Sequence, residues 1–229
     1  MPVRFWEHMA VSNYKAVIFD MDGVIFDTER MVVKCWKVIA DKYNIPNIED
    51  HCREATGLNV AATKVVFERR YGTDLPYEDL RSERKEIFMK AFNNGEVDIK
   101  PGVVELLKFL KENGIKTAIA SSTSSATVTY ELKLMGLYDY FDEVVCGDMV
   151  SKSKPDPEIF LLAAEKLGVK PCEAFGIEDS YNGVRALRAA NLHTIMVPDM
   201  IEPDDEMRKL SDIILPSLFE TKEYIKERL

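Results

Sequence analysis

"KAVIFDMDGVIFDTE", residues 15–29, decides how the rest of the chain is read. Ala16, Val17, Ile18 and Phe19 form an apolar run without the alternation of a half-exposed strand, which predicts a short strand buried on both faces. The run ends in Asp20, followed by Asp22, Gly23 and Asp27. Two carboxylates held close together at the end of a buried strand oppose each other's ionisation. A divalent cation or a phosphoryl group between them would remove that conflict, and either would need further partners elsewhere in the chain.

The 229 residues suffice for one large domain, or a main domain with a smaller insert. With 46% hydrophobic and 30% charged residues, the balance is that of a soluble globular protein with a substantial core. The net charge of -9 argues against a nucleic-acid partner, and the acids are spread along the chain, as solubility requires. No stretch reaches the ~18 apolar residues of a spanning helix, and MPVRFWEHMAVSNY lacks the apolar segment of a signal peptide. No membrane partner and a cytoplasmic location are therefore expected. Cys35, Cys52, Cys146 and Cys172 have no CxxC spacing and read as free thiols of a reducing compartment. His8, His51 and His193 show no metal-ligand spacing and read as structural or exposed.

Beyond the first strand, Val32, Trp36, Ile39 and Tyr43 recur at helical spacing over 29–43. Helices are also predicted over 59–71 and 77–92, separated by Gly72 and Pro76, and the block from 28 to 95 carries no strand pattern. From Lys100 the texture changes. "KPGVVELLKFLKENG" reads as a helix with Pro101 near its start and Gly114 at its end. "IKTAIASS", "EVVCGD", "EAFGIEDS" and "HTIMVP" read as strands, alternating with the helices "SATVTYELKLMG", "DPEIFLLAAEKLG" and "NGVRALRAAN". Repeated βα units imply a parallel sheet covered by helices on both faces. The expected fold is α/β, a Rossmann-like parallel sheet core with an inserted all-helical cap domain. The core takes residues 1–27 and 96–229, the cap 28–95, with hinges near 26–29 and 93–100.

In an open α/β sheet, ligands bind outside the carboxyl ends of the strands. At those ends lie Asp20 and Asp22, then Ser121, Ser122 and Thr123, then Lys152 and Lys154 of "SKSKPDPEIF", then Glu178, Asp179 and Ser180. Each has an ordinary use by itself: an acid pair in a turn, a serine at a helix N-cap, a solvated lysine, an acid–serine cap cluster. Together on one edge they form what phosphoryl transfer to a carboxylate needs: a nucleophile, a donor to phosphoryl oxygens, a cation and metal ligands.

"DMDGVIFDT", "IASS", "SKPDPEIF" and "GIEDSYNGVRA" closely resemble the four signature motifs of the haloacid dehalogenase superfamily. The helical insert after the first motif resembles the cap of its beta-phosphoglucomutase-like and phosphoglycolate-phosphatase-like branch. The likeness covers residues 14–229. The family's dehalogenases keep the first Asp but not the second, so Asp22 points to phosphate chemistry. By this resemblance Asp20 is the nucleophile and Asp22 the general acid and base. Mg²⁺ is implied on Asp20, the carbonyl of Asp22 and Asp179, with Glu178 a further ligand. Ser121 and the backbone amides of Met21, Asp22 and Ser122 would hold phosphoryl oxygens, and Lys154 would balance charge. "TGLNVAATK", residues 56–64, would face the site from the cap with Asn59 and Lys64 as substrate contacts, and Arg84 and Lys85 as secondary ones.

The expected activity is a Mg²⁺-dependent phosphatase acting on a small phosphorylated metabolite, a sugar or polyol phosphate, by a monomer or small homo-oligomer. Two alternatives stand beside it: a sugar-phosphate mutase on the same core, and a non-catalytic phosphate-responsive regulator. The regulator would need a missing catalytic residue, and none is missing. Mutases of this branch resemble one another in a cap His aligning with Val32 and a phosphate-gripping Arg aligning with Val60, and both positions are apolar here. A glycosyltransferase using the DxD would leave Lys154 and Glu178-Asp179 unexplained.

Overall fold

The computed structural model describes residues 14–56, 58 and 60–229. In chain order they form β1 (Ala16–Phe19), α1 (Thr28–Tyr43), α2 (Ile48–Ala55), α3 (Val60–Tyr71), α4 (Tyr77–Asn93), α5 (Val103–Glu112), β2 (Lys116–Ser121) and α6 (Ser125–Leu134). There follow β3 (Glu143–Cys146), α7 (Glu158–Leu167), β4 (Ala174–Glu178), α8 (Tyr181–Ala189), β5 (His193–Met196), α9 (Asp205–Leu210), β6 (Ile213–Ile214) and α10 (Leu218–Lys226).

The six strands are all parallel, in the order β3-β2-β1-β4-β5-β6. With β1 between β2 and β4, its residues have neighbours on both faces, as the unbroken apolar run requires. Val17 and Phe19 pack on one side with Leu106 and Leu110 of α5 and Ile225 of α10. Ala16 and Ile18 pack on the other with Phe160 and Ala163 of α7 and Leu187 of α8. Fully burying each large side chain contributes about 1.5–3 kcal/mol, and the buried strand fixes where Asp20 emerges.

Between β1 and α5 the regular elements of the described chain are the helices α1 to α4, and they form the inserted cap. Trp36, Ile39, Ile48, Phe67, Tyr77 and Leu80 form a core of its own, while Met31 and Cys35 of α1 join Phe88 and Phe92 of α4 against the main core. The two connections pair with each other. Phe26 forms an antiparallel bridge with Ile99, and the amides of Asp27 and Lys100 donate to Asp98 and Ile25 carbonyls, each at 2.9 Å. The buried Asp199 carboxylate adds a tie, 2.7 Å from Lys100 and 3.5 Å from Arg30 of α1.

Three features depart from the sequence reading. Helix α2 was not anticipated, because in eight mostly polar residues only Ile48, His51 and Cys52 are buried. The strand "EVVCGD" ends at Cys146, where Gly147–Met149 turns into a 3-10 helix. Beyond β5 the chain adds α9, the two-residue β6 and α10, which packs on α5 through Leu218 and Ile225. All four thiols are free. No helix among the described residues is long and apolar enough to cross a membrane.

Candidate active site

The tips of β1, β2 and β4 converge at the centre of the sheet, and Lys154, just ahead of α7, reaches in beneath them. Its ammonium lies 2.5 Å from Asp20 Oδ1, 2.7 Å from Glu178 Oε1 and 2.9 Å from the Ala120 carbonyl. Lys154 is only 8% exposed, so this charge could not stand there unpaired. The bond to Ala120 has a second consequence. It takes the carbonyl where the β1–β2 ladder would continue, and the ladder stops. Among the described residues, the amides of Met21, Asp22 and Ser122 have no hydrogen-bond acceptor. They are the three donors the resemblance assigns to phosphoryl oxygens. The Met21 side chain itself is buried in the core.

Glu178 is held by both oxygens. Oε1 takes Lys154, and Oε2 accepts from the Asp179 amide at 3.1 Å, the Ser180 amide at 3.1 Å and the Ser180 hydroxyl at 3.0 Å. Ser180 in turn caps α8 by accepting from Gly183. Two glycines make room for the acids. A Cβ at Gly183 would stand 1.8 Å from the Glu178 carboxyl carbon, and one at Gly23, where φ is +80°, would stand 2.2 Å from Asp179 Oδ2. Gly183→Ala should therefore displace Glu178 and loosen Lys154. Such overpacking costs about 1–3 kcal/mol, and a thermal melt together with kcat/KM should both fall, whereas a melt like that of the wild type would show the cradle to be slack.

The acids crowd one another. Burial first, then the neighbouring Glu178, push the Asp20 carboxyl well above the usual carboxylate range, with Lys154 pulling the other way. Asp179 is likewise raised by burial, then by Glu178 and Asp20. Burial works against the charge of Lys154, but Asp20 and Glu178 more than offset it and hold it protonated. Asp22 is raised by burial, opposed by the Thr123 hydroxyl, which donates to Oδ2 at 3.1 Å. One carboxylate oxygen each from Asp20, Glu178 and Asp179 lie within 4.8 Å of one another. An all-oxygen, multiply anionic donor set suits a hard divalent cation such as Mg²⁺.

A cavity of about 890 Å³ opens above these groups, between the sheet edge and the cap. Asp20, Asp22, Ser122, Lys154, Glu178 and Asp179 line its floor. Ser121 sits just beneath, fully buried, its hydroxyl accepting from the Thr123 amide at 3.1 Å and keeping its proton to donate. From the cap, Val32, Val60, Arg84 and Lys85 line the cavity, as do Glu29 and Arg81, which the sequence reading did not single out.

Lys64, expected as a substrate contact, is not among the residues lining the cavity; Glu68 one turn along α3 and Glu78 on α4 stand 3.7 and 3.6 Å from its ammonium. Asn59 lies outside the described residues. His51 is buried in the cap's aromatic cluster and His193 bonds Tyr14 and Tyr224, so both are structural as expected; His8 lies outside the described residues. Glu131 of α6 was missed although it had a signal: a charge in the stripe Val128–Glu131–Leu132–Met135, where helical periodicity calls for an apolar residue.

A parallel sheet whose central strand delivers an acid pair to a capped cavity, opposite a buried lysine and a second acid pair, defines a hydrolase of one class. The profile of haloacid dehalogenase-like hydrolases matches residues 14–191, and the chain belongs to that family. It is 35% identical over 185 residues to a phosphorylated carbohydrates phosphatase of Thermotoga maritima, covering 79% of this chain and 83% of that one. It is 32% identical over 223 residues to beta-phosphoglucomutase of Bacillus subtilis, covering 93% and 98%. Among solved structures, CbbY from Rhodobacter sphaeroides in complex with phosphate is similar, with a TM-score of 0.76, 28% identity, and coverage of 90% and 96%.

Proposed function

We propose that the chain is a Mg²⁺-dependent phosphatase hydrolysing a small phosphorylated metabolite, a sugar or polyol phosphate, through an aspartyl phosphate on Asp20. The observation that carries this reading is the contact of Lys154 with Asp20 at the sheet edge, beside three unpaired amides and with Asp22 two residues on. Residues 28–95 would serve as the cap over a core of 1–27 and 96–229, of which 1–13 lie outside the described residues. That the relatives include a phosphorylated carbohydrates phosphatase agrees with the substrate class.

Asp20 attacks phosphorus in line while the bond to the leaving oxygen breaks, and Asp22 passes its proton to that oxygen. Proton transfer of this kind contributes about 10²–10⁴-fold. Water then enters; Asp22 takes its proton, the oxygen bonds to phosphorus, and the Asp20–phosphorus bond breaks to free inorganic phosphate. The Met21, Asp22 and Ser122 amides and the Ser121 hydroxyl donate to the phosphoryl oxygens as their charge shifts. Lys154 keeps the Asp20 carboxylate aimed and opposes the phosphate's repulsion of it. Asp20, Asp179 and the carbonyl of Asp22 would hold Mg²⁺, with Glu178, already bound to Lys154 and the 179–180 loop, mainly orienting them. When bound, the ion supplies positive charge against carboxylate and phosphate together.

Phosphate release should vanish with a chelator and return on adding Mg²⁺; hydrolysis unchanged after exhaustive metal removal would defeat the metal assignment. The mutase alternative is favoured by the 32% identical beta-phosphoglucomutase and opposed by Val32 and Val60, which line the cavity with apolar groups. A phosphate facing Val60 lacks a charge-assisted bond, and such bonds are worth about 1.5–3 kcal/mol each. Given beta-glucose 1-phosphate and a trace of the 1,6-bisphosphate, the enzyme should therefore release free phosphate faster than it forms glucose 6-phosphate. The reverse order would make it a mutase.

A further inference from the structure

The steps above ask Asp22 to deliver a proton and then recover one, which needs a carboxyl aimed the same way in both. Asp20 and Glu178 are held by Lys154. Asp22 is held by another residue, Thr123 on the loop between β2 and α6, whose hydroxyl donates to Oδ2 at 3.1 Å. The catalytic steps give Thr123 no part.

The loop that carries this hydroxyl is clamped. The Thr123 amide donates to Ser121 Oγ at 3.1 Å, and the Thr123 carbonyl accepts from the Gly147 amide at 3.0 Å. Just beyond, the amide and hydroxyl of Ser125 both donate to Asp148 Oδ1, at 3.0 and 2.6 Å. Gly147 packs so closely that a Cβ there would stand 2.3 Å from the Ser122 carbonyl oxygen. Thr123 itself lines the cavity, and its branched Cβ restricts the rotamer that carries the hydroxyl. A stiff side chain on a clamped loop makes a fixed donor.

The direction of the bond matters. An ionised carboxylate only accepts, so a threonine hydroxyl keeps one bond to Oδ2 through both forms of Asp22 only by donating. With Oδ2 occupied, the exchangeable proton belongs to Oδ1. As the bond from phosphorus to the leaving oxygen breaks, that proton moves from Oδ1 to the leaving oxygen. The charge left behind is shared with Oδ2, where the bond from Thr123 becomes charge-assisted and strengthens. The Thr123 amide meanwhile leaves the Ser121 proton free for the phosphoryl group. We propose that Thr123 is a positioning residue: its hydroxyl fixes which oxygen of Asp22 carries the proton, and its backbone keeps that acid in register with the serine that holds the phosphoryl group. This rests on the phosphatase reading above.

The test is how strongly the full chain, with Mg²⁺, responds to the basicity of the leaving oxygen. p-Nitrophenyl phosphate and phenyl phosphate are similar in shape, but nitrophenolate departs readily without a proton and phenolate does not. The two are compared by kcat/KM, which covers the steps up to departure of the alcohol and omits the shared hydrolysis of the aspartyl phosphate. Thr123→Val keeps the shape and the backbone bonds and removes only the hydroxyl. Its kcat/KM should fall about 10–100-fold on phenyl phosphate, in line with losing one bond to a charged group, and less than about 3-fold on p-nitrophenyl phosphate, which needs little acid catalysis. KM should stay near the wild-type value, because Thr123 acts through Asp22. Thr123→Ser keeps the donor and should restore most of the loss, and Thr123→Ala carries the same comparison if Thr123→Val does not fold. Equal losses on the two esters would make Thr123 a support for the loop and overturn the proposal. So would a Thr123→Val enzyme as fast as the wild type on phenyl phosphate, or a Thr123→Ser enzyme as slow as Thr123→Val; each leaves the phosphatase standing. Wild-type release from neither ester would overturn the phosphatase reading itself.

Discussion

Asp20→Asn is expected to abolish turnover while leaving the protein folded and at least as stable as the wild type. The amide nearly matches the carboxylate in shape but is a poor nucleophile, so the covalent step is lost. Removing the nucleophile from a site whose groups act as a unit lowers kcat on the order of 10⁴-fold or more. Stability should move the other way. Asp20 sits buried against Glu178 and near Asp179 and Asp22, and its carboxyl is raised well above the usual range. Its ionised form therefore works against the fold at neutral pH, and a neutral side chain removes that strain at the cost of one bond to Lys154. Phosphate release and a melt in chelator check the two halves together. A folded variant that still releases phosphate near the wild-type rate would remove Asp20 from its role.

How much of this was legible beforehand depends on the kind of signal. The run Ala16–Phe19 reads as a central strand because burial on both faces leaves no polar alternation, and it is central in the sheet. Asp20, Lys154 and Glu178 are 134 and 24 residues apart along the chain, yet the rule that sites form at carboxyl ends of parallel strands brought them to one edge. The three unpaired amides follow from the same topology, because strands that part around a lysine leave rungs unmade.

The cap was less legible. Its helices present side chains all round, and nothing in residues 56–64 says which way Lys64 points. Glu68 at the next turn and Glu78 on another helix decide that. Helix α2 carries too few apolar residues to show a period. Glu131 was visible as a break in a pattern, but a charge in an apolar stripe gains meaning only when the cavity above it is known.

Lys154→Met is the substitution expected to cost most in stability. Methionine has similar length and fills the same channel, so the change removes charge and little volume. What remains is Asp20, Glu178 and Asp179 buried together with no cation among them. Breaking a buried pair by removing one partner costs about 3–5 kcal/mol. For a chain of this size each kcal/mol moves the melting temperature by about 2–4 °C, so the metal-free variant should melt roughly 6–20 °C below the wild type. The sign with pH follows from the direction of the shifts. Asp20 and Asp179 are raised even with Lys154 present, and without it they rise further. A raised acid group loses stability as pH climbs through its folded pKa. The gap between variant and wild type should thus be widest at mildly alkaline pH and close as the acids protonate. Mg²⁺ should recover part of it, because a cation that binds only the folded state stabilises by mass action and would neutralise the same carboxylates. A variant melting with the wild type in chelator, at every pH, would mean that the acids do not need Lys154 and that its contacts with Asp20 and Glu178 contribute nothing net.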